Sequence, residues 1–445
     1  MGQPLPRRMA LSYAVGGLGN GVFATVPGLL LLFYLTDVIG VGAGLASLVL
    51  FVPKLWDAFV NPLVGSLSDR STSRHGKRRP FLLVGGIVTS LAFALLFSAP
   101  HFSSTTVTAL YVSAIFTVAM TAYAVFVVPW SAMPAEMTQD YHERTRLMSI
   151  RMVLLTVGIL VGGAVAPAIA GGKQGGRGSY ALMSVLVAMV LLAAFLVTWR
   201  GTRGAASAPP LTGPRPTLRT QYDVVRANRP FVGLFWAYAL QATAQSAMLA
   251  GAPYVATYVL GDSGLAAVLF VFLVAPCAVV MPLWRRFSLR RGKLAGYLLA
   301  SGIFGGTGLT LLFARSEPHL LVFVQMALLG VGYAGMQLFP YAILADVVVN
   351  EDAGSGRAGI FTGVWQGGET VAFAVGPALY GLLLAATGFI SSAADVRVTQ
   401  PHSAVTGLVL GFSLLPAVLV LTSIPLLRRY ARHDAVAATA IPVPA

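Results

Sequence analysis

The chain has 445 residues, 56% of them hydrophobic and only 10% charged. A soluble domain carries about 25% charged residues, and no soluble fold of this length could hide so much apolar surface, so the composition specifies an all-α, multi-pass membrane protein. The net charge of +15 does not point to nucleic acid, because Lys and Arg fall in short clusters between apolar runs, as in "RSTSRHGKRR" and "WRRFSLRRGK", which is how a membrane protein fixes its orientation. The single cysteine, Cys277, excludes a disulfide framework and a cysteine-based zinc site. The six histidines show no metal-ligand spacing, so no metal or other cofactor is expected.

A helix needs about 20 apolar residues to cross a bilayer. Twelve such spans are predicted, over 10–36, 44–68, 80–99, 106–133, 147–171, 180–199, 229–260, 264–284, 294–314, 318–345, 358–386 and 402–427. The first follows Arg7 and Arg8 and has no small-residue cleavage site, so it is expected to remain as a helix. One set of loops is strongly basic, while the alternate set holds only Lys173, Arg177, Arg315 and Arg397. The basic set is expected on the cytoplasmic side of the cell membrane, and an even span count then puts both termini there.

A Pro-, Gly-, Ser- and Arg-rich stretch, 201–228, divides the chain. It is predicted to be a cytoplasmic linker between a six-helix bundle at 1–200 and another at 229–430, with a cytoplasmic tail at 431–445. The halves echo each other. "HGKRRP" after span two is matched by "RRGKLA" after span eight, and "PWSAMPAEMTQD" leaving span four by "PYAILADVVVNED" leaving span ten. A duplication of six helices marks a transporter with its substrate site between the repeats.

Two apparent enzyme motifs fail in context. "GVGYAG", 330–335, follows no strand and lies inside span ten, so its glycines serve close helix packing. "GDSG", 261–264, is a short loop without a placed His and Asp. The informative segment is "FVPKLWDAFVNP", 51–62, where Lys54, Asp57 and Asn61 are spaced i, i+3, i+7 between Pro53 and Pro62. A period of about 3.6 residues puts all three on one helix face. A charge at mid-helix costs about 2.5 to 3.5 kcal/mol on insertion scales, so that face should look into the bundle, with Lys54 pairing Asp57. Arg151 and Glu369 are also intramembrane charges by hydropathy. Asn20, Tyr123, Gln241, Gln245, Gln337, Trp365 and Gln366 are candidate cavity-lining polar groups.

The stretch "GSLSDRSTSRHGKRRP", with Gly65, Asp69, Arg70, Gly76, Lys77, Arg78 and Arg79, resembles the loop between helices two and three of the major facilitator superfamily. Its glycines should permit a tight reversal, and its charges should secure a cytoplasmic gate together with Glu136, Arg144 and Asp346. With "YLTDVIG", "LWDAFVNPLVG", "VPWSAMPAEMTQDYHERTRL", "NRPF", "TYVLGD" and "ADVV", the chain resembles the glycoside-pentoside-hexuronide:cation symporters, the family of the melibiose permease. The resemblance implies a major facilitator fold of twelve helices in two pseudo-symmetric halves, and secondary transport by alternating access. By that resemblance Asp57 matches the first of three cation-site carboxylates. Asn61 stands at the second and Phe126 near the third, so one carboxylate of three is kept. Coupling to H+ is therefore favoured over Na+. Burial favours a neutral carboxyl, while pairing with Lys54 opposes this. The family's sugar-gripping aspartate falls at Gly21 and its helix-eleven lysine near Thr370, whereas Trp130 and Arg151 match sugar-contacting positions. Trp130 and Trp365 could stack on a sugar from opposite halves.

The leading expectation is thus a monomeric, cation- or proton-coupled symporter of a sugar-like or amphipathic solute, in contact with membrane lipids. An exporter of lipids or drugs and a non-transporting receptor or scaffold stand as alternatives.

Overall fold

The computed structural model describes residues 5–73, 76–138, 140–171, 176–205, 223, 225–315, 318–352, 358–393 and 398–439. His75, Lys173, Arg397 and most of the 201–228 linker lie outside them, as do the last residues of the 431–445 tail. Apart from one isolated bridge, Ile39 with Ala393, the described residues form helices and their connections.

The first six helices are α1 (Arg7–Phe33), α2 (Ala43–Asp69), α3 (Arg79–Leu96), α4 (Thr105–Met137), α5 (Tyr141–Leu160, continued through a π-helical turn at Val161–Val165 to a last piece, Ala166–Ala170) and α6 (Arg177–Gly201). The second six are α7 (Arg229–Tyr254), α8 (Leu265–Arg291), α9 (Lys293–Thr310), α10 (His319–Asp352), α11 (Ala358–Ala386) and α12, in two pieces, His402–Phe412 and Leu414–Thr439. Eleven of the twelve are long and apolar enough to cross a membrane. The other is α7, whose middle holds Gln241, Thr243, Gln245 and Ser246. All four are buried, so their polarity never meets lipid and α7 can take its place among the twelve.

The chain separates into two compact units. One is Met1–Gly213 with Ser263–Ala267 and Gly388–Pro401; the other is Pro214–Asp262 with Val268–Thr387 and His402–Ala445. Within the first, α1 packs on α5 and α6, and α3 on α4 and α6. Within the second, α7 packs on α11 and α12, and α9 on α10 and α12. The duplicated sequence therefore folds into duplicated pairings. The likeness extends to fine structure: α1 and α7 each run into a π-helical turn, Tyr34–Val38 and Val255–Val259. Each turn is followed by a glycine at positive φ, Gly40 at 85° and Gly261 at 78°, a conformation glycine adopts without steric penalty.

Glycine also sets how closely α1 approaches α5. A Cβ on Gly17 would lie 2.8 Å from the carbonyl oxygen of Arg151, one on Gly21 would meet the α5 backbone at Leu155 to Ile159, and one on Gly158 would meet the backbone of Leu18. Membrane helices gain no hydrophobic drive toward one another, so such close backbone packing carries their association. Replacing Gly158 by Leu must part the two helices, and overpacking of this kind costs about 1–3 kcal/mol. The expected result is a melting midpoint in detergent lower by about 1–3 °C, measured by tryptophan fluorescence, with Gly178→Leu, where a Cβ meets open space, as the unaffected control.

Candidate functional site

In the first unit the polar residues of α1, α2, α4 and α5 gather into one constellation. Asp57 on α2 is buried, at 6% exposure. Asn61, one turn on, hydrogen-bonds its carboxylate, and Lys54, one turn back, acts on it electrostatically. The predicted face is therefore real: three polar groups of one helix are in mutual contact or reach. One carboxylate oxygen, Oδ1, is nonetheless buried without a hydrogen-bond partner. Tyr123 on α4 feels the charge of both Asp57 and Arg151, and its hydroxyl donates to Asn20 on α1. Its ring stacks on Phe23 at 4.3 Å.

Among the described residues no carboxylate pairs with Arg151 on α5. Its guanidinium lies over the Trp130 ring, 4.0 Å from the centroid, and donates to the Tyr13 hydroxyl at 3.2 Å. A cation over an indole face gains about 2 kcal/mol when desolvated. Trp130 in turn stacks on Tyr13 at 5.3 Å and donates from Nε1 to the Tyr13 carbonyl at 3.0 Å. It is 0% exposed. The expectation that Trp130 offers an open face to a sugar is corrected: its role here is to seat Arg151. Phe126 is equally closed, packed on Phe195 at 4.0 Å and on Trp130. Gly21, where the resemblance places an aspartate, is pressed against α5, so a side chain there has no room and the adjacent Asn20 supplies the polar group.

In the second unit the centre is Glu369 on α11. Its Oε1 accepts from Tyr238 on α7 at 2.5 Å and from Tyr341 on α10 at 2.6 Å, and its Oε2 accepts from Gln366 at 3.0 Å. Trp365 stacks on Tyr238 at 4.5 Å and meets Tyr341 edge-on. At 2% exposure it backs the cluster instead of presenting a free ring. Other predicted liners bond groups other than Glu369. Gln241 is fully buried and donates to Ser301 and Ser423, joining α7 to α9 and α12. Gln337 donates to Tyr333 at 2.7 Å. Gln245 is buried, and Thr370 bonds back to the Gln366 carbonyl. Tyr13, Tyr238 and Tyr341 were not anticipated. A phenol in an apolar run reads as packing, and only the fold shows which carboxylate or guanidinium its hydroxyl meets.

The loop after α2 forms an ionic clamp. Arg78 reaches Glu136 at 2.6 Å and Asp69 at 3.1 Å, while Lys77 reaches Glu136 at 3.4 Å. Lys77 and Arg78 are buried. Arg79 turns away, donating to the Trp199 carbonyl at 3.1 Å and lying over its ring. Gly76 sits at φ 98° and makes the reversal. Gly65 does not: it lies within α2, with Arg70 at that helix's C-terminal cap. Arg144 likewise stands apart from Glu136 and donates to the Thr138 carbonyl at 3.1 Å. The second unit repeats the clamp in simpler form, with Gly292 at φ 86° followed by Lys293, which meets Asp346 at 2.6 Å. Among the described residues no group of His, Cys, Asp and Glu could hold a metal ion.

Duplicated helix bundles, each with a mid-span polar centre and a loop clamp, define a polytopic solute transporter of the secondary type. The chain matches the MFS/sugar transport protein family over residues 12–432 and belongs to that family, within the major facilitator superfamily. It is 26% identical to the inner membrane symporter YicJ of Escherichia coli (strain K12) over 438 residues, 94% of this chain and 90% of that protein. It is 25% identical to the putative glycoside/cation symporter YagG of the same organism over 434 residues, 96% of this chain and 92% of that one. Among solved structures, a bacterial homolog of the human lysosomal transporter Spinster shares the fold, with a TM-score of 0.65 at 14% identity and 98% of both chains covered. The protein is a glycoside-pentoside-hexuronide:cation symporter-like transporter, a multi-pass membrane protein that works by alternating access, and not an enzyme.

Glu136 gives the clamp a pH signature. Burial opposes its ionisation, but the hydrogen bond and charge of Arg78, joined by Lys77, outweigh burial and hold the carboxyl below its usual range. A carboxyl so lowered stabilises the fold fully above its unfolded value near 4.5, and the contribution is lost as pH falls through the lowered value. Glu136→Gln should lower the melting midpoint at neutral pH by about 5 °C. The gap between variant and wild type should close in acid, as read from melting curves across pH.

Proposed function

We propose that the protein is a cation-coupled symporter of the cytoplasmic membrane, with both termini cytoplasmic, in which Asp57 carries a coupling proton. The observation that carries this reading is the buried Asp57 carboxylate with Oδ1 left without a donor. A buried acceptor without a partner is costly, and a proton that arrives and leaves during the cycle relieves that cost. Sodium is disfavoured. It needs several oxygen ligands and compensating negative charge, whereas Asn61 is neutral, Phe126 is a packed hydrocarbon and Lys54 is a cation. The proposed cargo is a small, sugar-like solute, in keeping with the family, and the protein acts as a monomer. Lys77, Arg78, Asp69 and Glu136 act as the cytoplasmic latch, with Lys293 and Asp346 as its counterpart, opening and re-forming as access alternates.

The test uses purified protein in proteoliposomes. An imposed proton gradient should drive accumulation of a transported sugar, and a sodium gradient at constant pH should not. Asp57→Asn should abolish uphill accumulation while sugar-for-sugar exchange persists. Uphill transport by that variant, or strict dependence on sodium, would overturn the assignment. Binding of lysolipids without binding of any sugar would redirect the cargo to an amphipathic lipid.

A further inference from the structure

Glu369 is a charge without a counter-charge. It is the only Asp, Glu, Lys or Arg in α11, and α7 has none beyond Arg229 at its start. Those in α10 are confined to its last turns, Asp346, Glu351 and Asp352. No Lys or Arg among the described residues is within ion-pair distance of it. Three neutral donors hold it instead: the Tyr238 and Tyr341 hydroxyls and the Gln366 amide. These satisfy lone pairs but leave the net charge in place. They also fix the carboxylate's orientation, since each donor comes from a side chain placed by a different turn or helix.

The carboxylate is reachable. Glu369 is only partly buried, Gln366 is exposed, and Tyr341 is 40% exposed. So polar a surface in mid-span cannot face lipid and must border water. The exposed Tyr341 ring beside the carboxylate suits a cation, because a Tyr ring attracts positive charge through its face, while Tyr238 and Trp365, buried and stacked on each other at 4.5 Å, back it. The same charge repels an anionic sugar acid.

Resting on the sugar-like cargo proposed above and narrowing it, we infer that the cargo bears a protonated amine and that Glu369 is its anchor: a cationic amino sugar, bound by its ammonium to the Glu369 carboxylate beside the Tyr341 ring. Glu369 then selects cargo, while Asp57 serves coupling.

The experiment compares D-galactosamine with D-galactose at neutral pH, by tryptophan fluorescence of the purified full-length protein in detergent. Galactosamine should bind at least about tenfold more tightly than galactose, the ratio expected when an ammonium facing the partly buried carboxylate adds charge attraction to a hydroxyl–carboxylate hydrogen bond. Glu369→Gln should bring that ratio close to one, whatever it does to galactose affinity itself. Glu369→Asp, which keeps the charge, should retain part of it and guards against a variant that merely misfolds. Galactose binding with no preference for the amine, or a preference that survives Glu369→Gln, overturns this inference alone. Binding of neither sugar overturns both it and the sugar-like cargo. Loss of proton-driven galactose accumulation in Glu369→Gln proteoliposomes, with the amine preference intact, would make Glu369 a coupling residue and also overturn the inference.

Discussion

A charge in the apolar middle of a membrane protein must be matched inside the protein or meet water, and the polar architecture follows from how four such charges are accommodated. Lys54 and Asp57 share one face of α2, with Asn61 completing the row. Arg151 is accommodated by an indole face and a phenol. Glu369 is accommodated by two phenols and an amide. Only the first case opposes charge with charge. In the other two net charge is left behind, and Arg151 also keeps a buried Nε without a hydrogen-bond partner, which is what a site for a charged or strongly polar ligand requires.

These polar centres depend on the glycine seams around them. Arg151 reaches Tyr13 because its own backbone lies against Gly17, where a Cβ would come within 2.8 Å of its carbonyl oxygen. The same closeness of α1 and α5 closes off Gly21 and moves the polar group to Asn20, which meets Tyr123. In the second unit Gly376 lies against α7 at Thr243 to Ala247, and Gly368 against Phe235, drawing α11 close enough for Glu369 to meet Tyr238. Packing chemistry and site chemistry are thus consecutive turns of the same helices.

The sequence made some of this legible and hid the rest for a physical reason. Span number, the duplication and the Lys54–Asp57–Asn61 face follow from hydropathy and helical period, which are local properties of the chain. So does the reversal at Gly76. The partners of Arg151 and Glu369 do not, because Tyr13 lies 138 residues from Arg151 and Tyr238 lies 131 from Glu369. No local pattern distinguishes a phenol that meets a charge from one that fills space. The same limit explains why Trp130 looked like a sugar platform. Its residue type fits stacking, but three dimensions show its ring occupied by Arg151 and Tyr13. Gln241 looked like a cavity residue until Ser301 and Ser423, distant in sequence, closed around it.

What the two repeats retain and what they have let diverge separates mechanical parts from chemical ones. Both keep a π-helical turn ending in a positive-φ glycine, the same helix pairings, and a Gly-Lys reversal whose lysine binds a carboxylate at the end of the next long helix. These features do the same work in either half of an alternating-access cycle, so one solution serves twice. The mid-span charges are not repeated. The first unit holds Lys54, Asp57 and Arg151, a net positive set; the second holds Glu369, a negative one. On the proposed assignment, coupling to a cation falls to one unit and gripping a cargo to the other, and a protein built from two copies of one bundle can divide two such tasks only by breaking its symmetry at the charges.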